Sequence, residues 1–176
     1  MQKNGYLLGT GESKVLYTTI SGLAALPVAA RCELSQTVKS TGTLSIRQLW
    51  QGICSRPNTG VLEDAMTISP AWFDHTLSCC VQIEGRVCGC LLIHRLASGA
   101  LRPELFYVAA PAGSRELLDM IRYVIYRAAD QLDGETPVVI PRSSMAIRAL
   151  TDKLLPGLQG KPVLTATKEL SVLQNF

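Results

Sequence analysis

Three apolar runs in close succession, Ser78–Glu84, Val87–Leu96 and Leu101–Ala110, constrain this chain most. Each has strand length, and each is bounded by turn-forming residues. Gly85-Arg86 reads as a two-residue hairpin loop of the Gly-X type. "ASG" (Ala97 to Gly99) makes the second reversal. Connections this short leave only antiparallel pairing, so the three runs form a meander. Pro103 has no N–H to give to a ladder, so the third strand should be bulged or open near its start.

The longest helix follows. From Ser114 to Leu132 the apolar residues Leu117, Leu118, Ile121, Val124, Ile125 and Ala128 recur at helical spacing. Asp119, Arg122 and Asp130 fall on the opposite face of that pattern. "TPVVIPR" (Thr136 to Arg142) is a short, continuously apolar strand. Arriving after a helix, it should lie parallel to an earlier strand. A second helix is expected over Ser143–Leu155, stopped by Pro156-Gly157, and "KPVLTATKEL" supplies a last strand.

The part before the meander is less regular. Ser45 and Gln48 form a capping box, and Ile46, Leu49, Trp50 and Ile53 share one helical face. Ser69-Pro70 opens a short helix, with Trp72, Phe73 and Leu77 as its core contacts. Residues 1–43 carry the weakest pattern. "GYLL" and "KVLYTTI" read as strands joined by a hairpin turn at "GTGES". Gly9-x-Gly11 lacks the third Gly and the strand–helix unit of a nucleotide fingerprint.

At 176 residues and 47% hydrophobic, the chain suffices for a single domain, residues 1–176, with a real core. A net charge of +3 with scattered Lys and Arg gives no nucleic-acid surface. The apolar run Val15–Ala30 is broken by Ser21 and Pro27, which makes it too short for a membrane span. It also lacks the basic start of a signal peptide. Of six cysteines, Cys80, Cys88 and Cys90 can meet across a hairpin, but no zinc spacing exists. Buried, reduced thiols in a cytoplasmic protein are expected.

The order is helices, three antiparallel strands, helix, strand, helix, strand. In this it resembles the GNAT N-acetyltransferase superfamily over residues 44–170. "CCVQIEGRVCGCLLIHRL" looks like that family's central hairpin, and "LRPELFYVAA" like the strand that carries a pantetheine arm. "TPVVIPR" looks like the strand splayed away from it. The resemblance implies an α/β fold: a mixed, mostly antiparallel sheet with a central splay, flanked by helices. It also implies acetyl-CoA bound in the splay. Phe106, Tyr107 and Val108 would offer backbone to the pantetheine, as an added strand does. Gly113, Ser114 and Arg115 would form the phosphate turn at the helix start.

Two departures are visible. "VAAPAGS" (Val108 to Ser114) holds one Gly, and its Arg, Arg115, follows that Gly where the family's precedes it. Thr151 stands where the family often has a Tyr that protonates the leaving thiolate.

Glu104, early in the third strand, is the candidate catalytic base, with ion pairing to Arg102 as the plainer role. Arg142 ends the splayed strand, where it can meet an anion or cap the next helix. Tyr107 can face core or cleft. His75 and His94 have no Cys, Ser or Asp at telling spacing. Two functions follow as expectations. One is acetyl transfer from acetyl-CoA to a small-molecule or peptide amine, with no metal and no nucleic acid or membrane partner. The other is a non-catalytic module of the same fold that binds a ligand or a protein. The reading also allows a homodimer.

Overall fold

In the computed structural model the described residues are 2–3, 6–41, 70–109, 111–142, 145–158 and 160–168. The capping-box helix around Ser45, together with Cys54, Ala110, Ser143 and Ser144, lies outside them.

Eight strands form one sheet. They are β1 (Gln2–Lys3), β2 (Tyr6–Thr19), β3 (Val38–Ser40), β4 (Cys79–Ile83), β5 (Arg86–Arg95), β6 (Leu101–Val108), β7 (Pro137–Pro141) and β8 (Gly160–Lys168). The helices are α1 (Ile20–Ala24), α2 (Ser114–Gln131) and α3 (Met145–Leu154). The sheet runs β1-β2-β7-β6-β5-β4-β3, and β8 also pairs with β2.

The expected meander is present as β4, β5 and β6, antiparallel throughout. Its first turn is one residue earlier than the sequence suggested. Ile83 pairs with Arg86, so the loop is Glu84-Gly85. Both residues have positive φ, 50° and 76°. That is the mirror-image turn whose twist suits a hairpin, and Gly85 supplies the conformation without strain.

The N-terminal part departs further. "GTGES" is not a hairpin turn: it lies inside the continuous 14-residue β2. The Gly-rich stretch is absorbed as an irregularity between Thr10 and Lys14 in the pairing with β8. β2 lies between two antiparallel neighbours. Val15–Thr19 pair with β7, and Tyr6–Leu16 pair with β8. Thr19 then caps α1, its hydroxyl oxygen accepting from the Gly22 amide at 3.2 Å. A short 3-10 turn, Pro27–Ala29, follows. Leu16, Ile20, Val28 and Ala29 are buried, so the run Val15–Ala30 is core-forming structure.

α2 covers the sheet with Met120, Ile125 and Ala128 buried. Asp119 was expected on the outer face, yet it is 1% exposed. It is covered by residues 28–35, a segment tied to α2 along its length. The Ser35 amide donates to Asp119 Oδ2 at 2.9 Å, and Arg122 Nε donates to the Val28 carbonyl at 3.0 Å. Tyr126 Oη donates to the Ala30 carbonyl at 2.9 Å. The polar stripe of α2 is therefore an internal anchor for the N-terminal segment.

Pro70–Trp72 is a 3-10 turn, where the sequence suggested a short α-helix. Phe73 and Leu77 are buried as expected, whereas Trp72 is 57% exposed. Asp74 ends the turn early: its Oδ1 accepts from the Thr76 amide, the Thr76 hydroxyl and the Leu77 amide. An aspartate that bonds the next amides in this way competes with helix propagation.

Cys79, Cys80, Cys88 and Cys90 are buried free thiols, and Cys80 sits opposite Cys90 across β4 and β5. Burial pushes the Cys79 and Cys80 thiols well up from their ordinary values. Among the described residues no cluster of three or more His, Cys, Asp or Glu can hold a metal. No described helix is long and apolar enough to cross a membrane.

Candidate functional site

The sheet opens between β6 and β7. The two run parallel, and Leu101–Val138 is their single register pair among the described residues. α2 joins them across the face of the sheet, and β7 turns away to complete its pairing with β2. Diverging parallel strands leave main-chain groups on their facing edges without a ladder partner. Phe106, Tyr107 and Val108 lie beyond Leu101 on β6 and pair with Leu91, Cys90 and Gly89 of β5. Phe106 and Val108 pack on the main core, and Tyr107 is buried.

A cavity of about 150 Å³ lies at this opening. β6 contributes Leu101, Pro103, Leu105 and Phe106 to its wall, and β7 contributes Val138, Ile140 and Pro141. Ile121, Val124 and Ile125 of α2 and Ile147, Leu150 and Leu154 of α3 close it. Among the described residues, Glu104 and Thr151 are the polar ones that line it.

Glu104 reaches this wall because of a bulge. The β5–β6 register steps from Leu92–Leu105 to Ile93–Pro103, which leaves Glu104 as the extra residue. This is the irregularity that Pro103 suggested. Bulges re-aim side chains, and here the carboxylate, only 6% exposed, is turned to His94 and Arg102. Its Oε1 lies 3.3 Å from His94 Nδ1 and 3.0 Å from Arg102 Nε. The Arg102 contact is ionic, since Nε is buried and out of line for a hydrogen bond. Trp72 stacks on His94, with ring centroids 5.6 Å apart and planes inclined by 16°. The Asp74 amide donates to the Ile93 carbonyl at 2.8 Å, and Arg95 Nη2 donates to Asp74 Oδ2 at 2.8 Å, which fixes the Trp72 segment here.

Sequence reasoning singled out Glu104 but did not anticipate its contact with His94 or the stacking of Trp72 on that imidazole. The pairing of His94 with Arg102 would have placed the imidazole beside the bulge. The Trp72 contact left no local signal, because it joins elements about twenty residues apart.

The anion-binding candidates are engaged elsewhere. Gly113, not Ser114, is the N-cap of α2, and its amide donates to Glu116 Oε2 at 2.9 Å. A carboxylate thus already lies at the helix start. Ser114 is exposed, and Arg115 extends along the helix to 3.8 Å from Asp119 Oδ2. Arg142 Nη2 donates to Asp152 Oδ1 at 2.6 Å and to the Arg148 carbonyl at 3.4 Å, so it secures α3. Thr151 Oγ1 lies 2.9 Å from the Ile147 and Arg148 carbonyls, which commits its proton within the helix. His75 is exposed, and its carbonyl accepts from Ser40 and Thr41.

No family model and no curated protein matches the chain. Solved structures do. The chain is similar to a GCN5-related N-acetyltransferase from Kribbella flavida at 13% identity and a TM-score of 0.47, over 92% of this chain and 58% of that one. A Drosophila protein is 14% identical with a TM-score of 0.52, over 92% of this chain and 52% of that one. The C-terminal domain of a protein from Agrobacterium fabrum, assigned as a lysylphosphatidylglycerol synthetase, is 10% identical with a TM-score of 0.52. That match covers 94% of this chain and 62% of the other. The chain spans between 52% and 62% of the length of these three proteins. At such identities the likeness is one of fold. The chain has a mixed, mostly antiparallel sheet opened between β6 and β7 and flanked by helices, and it shares this fold with the Drosophila and Agrobacterium fabrum structures.

Proposed function

We propose that this chain transfers an acyl group from a coenzyme A thioester, acetyl-CoA in the simplest case, to a primary amine. One observation carries the reading: β6 and β7 part after Leu101–Val138, and the bulged residue Glu104 lines the cavity that opens there. Main chain on the parted strands suits the amides of a pantetheine arm. Glu104 suits the acceptor amine, from which it takes a proton as nitrogen attacks the carbonyl carbon. His94 and Arg102 hold that carboxylate in place, and Trp72 offers an exposed aromatic shelf for the acceptor. Thr151 cannot protonate the departing thiolate while its hydroxyl is bonded within α3, so that proton comes from water or the acceptor.

A second reading has its own observation. Glu116 takes the Gly113 amide and Asp152 takes Arg142, so no built clamp for a pyrophosphate stands at the helix start. This favours a binding module of the same fold without catalysis. Calorimetry separates the two. Micromolar binding of acetyl-CoA, with release of free thiol when an amine panel is added, supports the enzyme. Absence of binding at millimolar acetyl-CoA overturns it in favour of the module.

A further inference from the structure

The cavity is poorly matched to an acetyl group. Among the described residues its lining is apolar except at Glu104 and Thr151, and the Thr151 hydroxyl is turned to its own helix. Water gains little there, because a buried water needs two or more polar partners. An acetyl methyl fills only a small part of 150 Å³. An apolar cavity of about this size in another protein accepts benzene, a six-carbon guest.

We infer that the acyl group accepted here is a linear alkyl chain of about six carbons, its tail seated between α2 and α3. This rests on the acyl-transfer reading and names its donor. The carbonyl carbon lies at the cavity rim, within reach of the Glu104 side of the wall. The amine nitrogen bonds to that carbon, and the carbon–sulfur bond breaks with its electron pair leaving on sulfur. Nitrogen loses one proton to the Glu104 carboxylate, the thiolate gains one from water, and the hydroxide so formed takes the proton back from Glu104, so the net products are an amide and free coenzyme A. The alkyl tail takes no part in bond exchange and contributes by burial.

The test compares acetyl-CoA with hexanoyl-CoA by calorimetry on the whole chain. Each buried methylene tightens binding about fourfold, so four of them give on the order of a hundredfold. Two variants at Leu150 report on the cavity, each checked for a native circular dichroism spectrum. Leu150→Phe narrows it and should bring hexanoyl-CoA down toward the affinity of acetyl-CoA. Leu150→Ala widens it and should move the preference to octanoyl-CoA. Equal affinity of the two thioesters overturns the chain-length inference and leaves acyl transfer standing. Binding of neither thioester overturns the donor reading and this inference with it. A hexanoyl preference that neither variant alters shows that the tail lies elsewhere, which also overturns it.

Discussion

The Gly113 amide and the Glu116 carboxylate face each other at 2.9 Å across the first turn of α2. The contact is half of a capping box, and it places a resident negative charge where a phosphate would compete for the helix start. Glu116→Gln keeps the shape and an acceptor for the Gly113 amide but removes the charge. It should raise affinity for coenzyme A several-fold while costing roughly 0.3–1 kcal/mol of stability. Calorimetry with coenzyme A checks the first and urea unfolding the second. Unchanged or weaker binding would show that the phosphates do not approach this turn.

Glu104 stands between the apolar cavity and the His94–Arg102 pair. Glu104→Gln keeps its volume and its capacity to meet His94, but the amide cannot take a proton from an amine. Single-turnover acyl transfer should slow by about 10²- to 10⁴-fold, with thioester affinity little changed. A rate within about threefold of the parent would remove Glu104 from the chemistry.

How much of this was legible follows the range of the interactions. The meander, α2 and the parallel arrival of β7 rest on periodicity and short loops, which are local. Pro103 announced the bulge because a missing N–H is a property of one residue. β2 was misread because its Gly-rich centre carries the local signature of a turn. Pairing with β8 up to Thr10 and again from Lys14, and with β7 from Val15, holds the strand extended on either side of that centre. β3 escaped notice for the same reason: three residues form a strand only because Cys79–Val81 lie beside them. At the site, Glu104 was visible by its place in β6. That Glu116 takes the Gly113 amide was partly visible, since Glu lies three residues after the cap. The pairing of Arg142 with Asp152 depends on how α3 folds back, which spacing alone does not fix.

Asp74 gives the fold an acid-sensitive contact. Burial works to raise its pKa. Hydrogen bonds from Thr76, Arg95 and the Leu77 amide outweigh it and hold the carboxyl below the usual 3.8. A carboxyl lowered in the folded state adds stability above its unfolded value, and that stability is lost as pH falls through the folded value. Asp74→Asn should therefore destabilise the chain at pH 7, and the gap to the parent should close at a pH well below 3.8. Denaturant midpoints of both proteins at the two pH values check this. A gap that persists undiminished in acid would mean that the asparagine is disfavoured for its shape alone.

Asp119 joins the N-terminal segment to α2, and its loss would strand two partners. Its Oδ2 accepts from the Ser35 amide at 2.9 Å, and its Oδ1 lies 3.1 Å from Arg122 Nη1. The carboxylate is buried, whereas Arg122 keeps partial contact with solvent and a second bond to the Val28 carbonyl. Asp119→Ala should cost about 2–4 kcal/mol, since a partly buried amide and a partly buried guanidinium lose their buried acceptor together. Asp119→Asn should recover part of that, because an amide oxygen can still receive the Ser35 N–H. The loss should be local as well as global. Hydrogen exchange at residues 28–35 should accelerate in the alanine variant before the β4–β6 meander is affected. A cost under about 1 kcal/mol, with the Ser35 amide still protected, would show that Tyr126 and Arg122 hold the segment without Asp119.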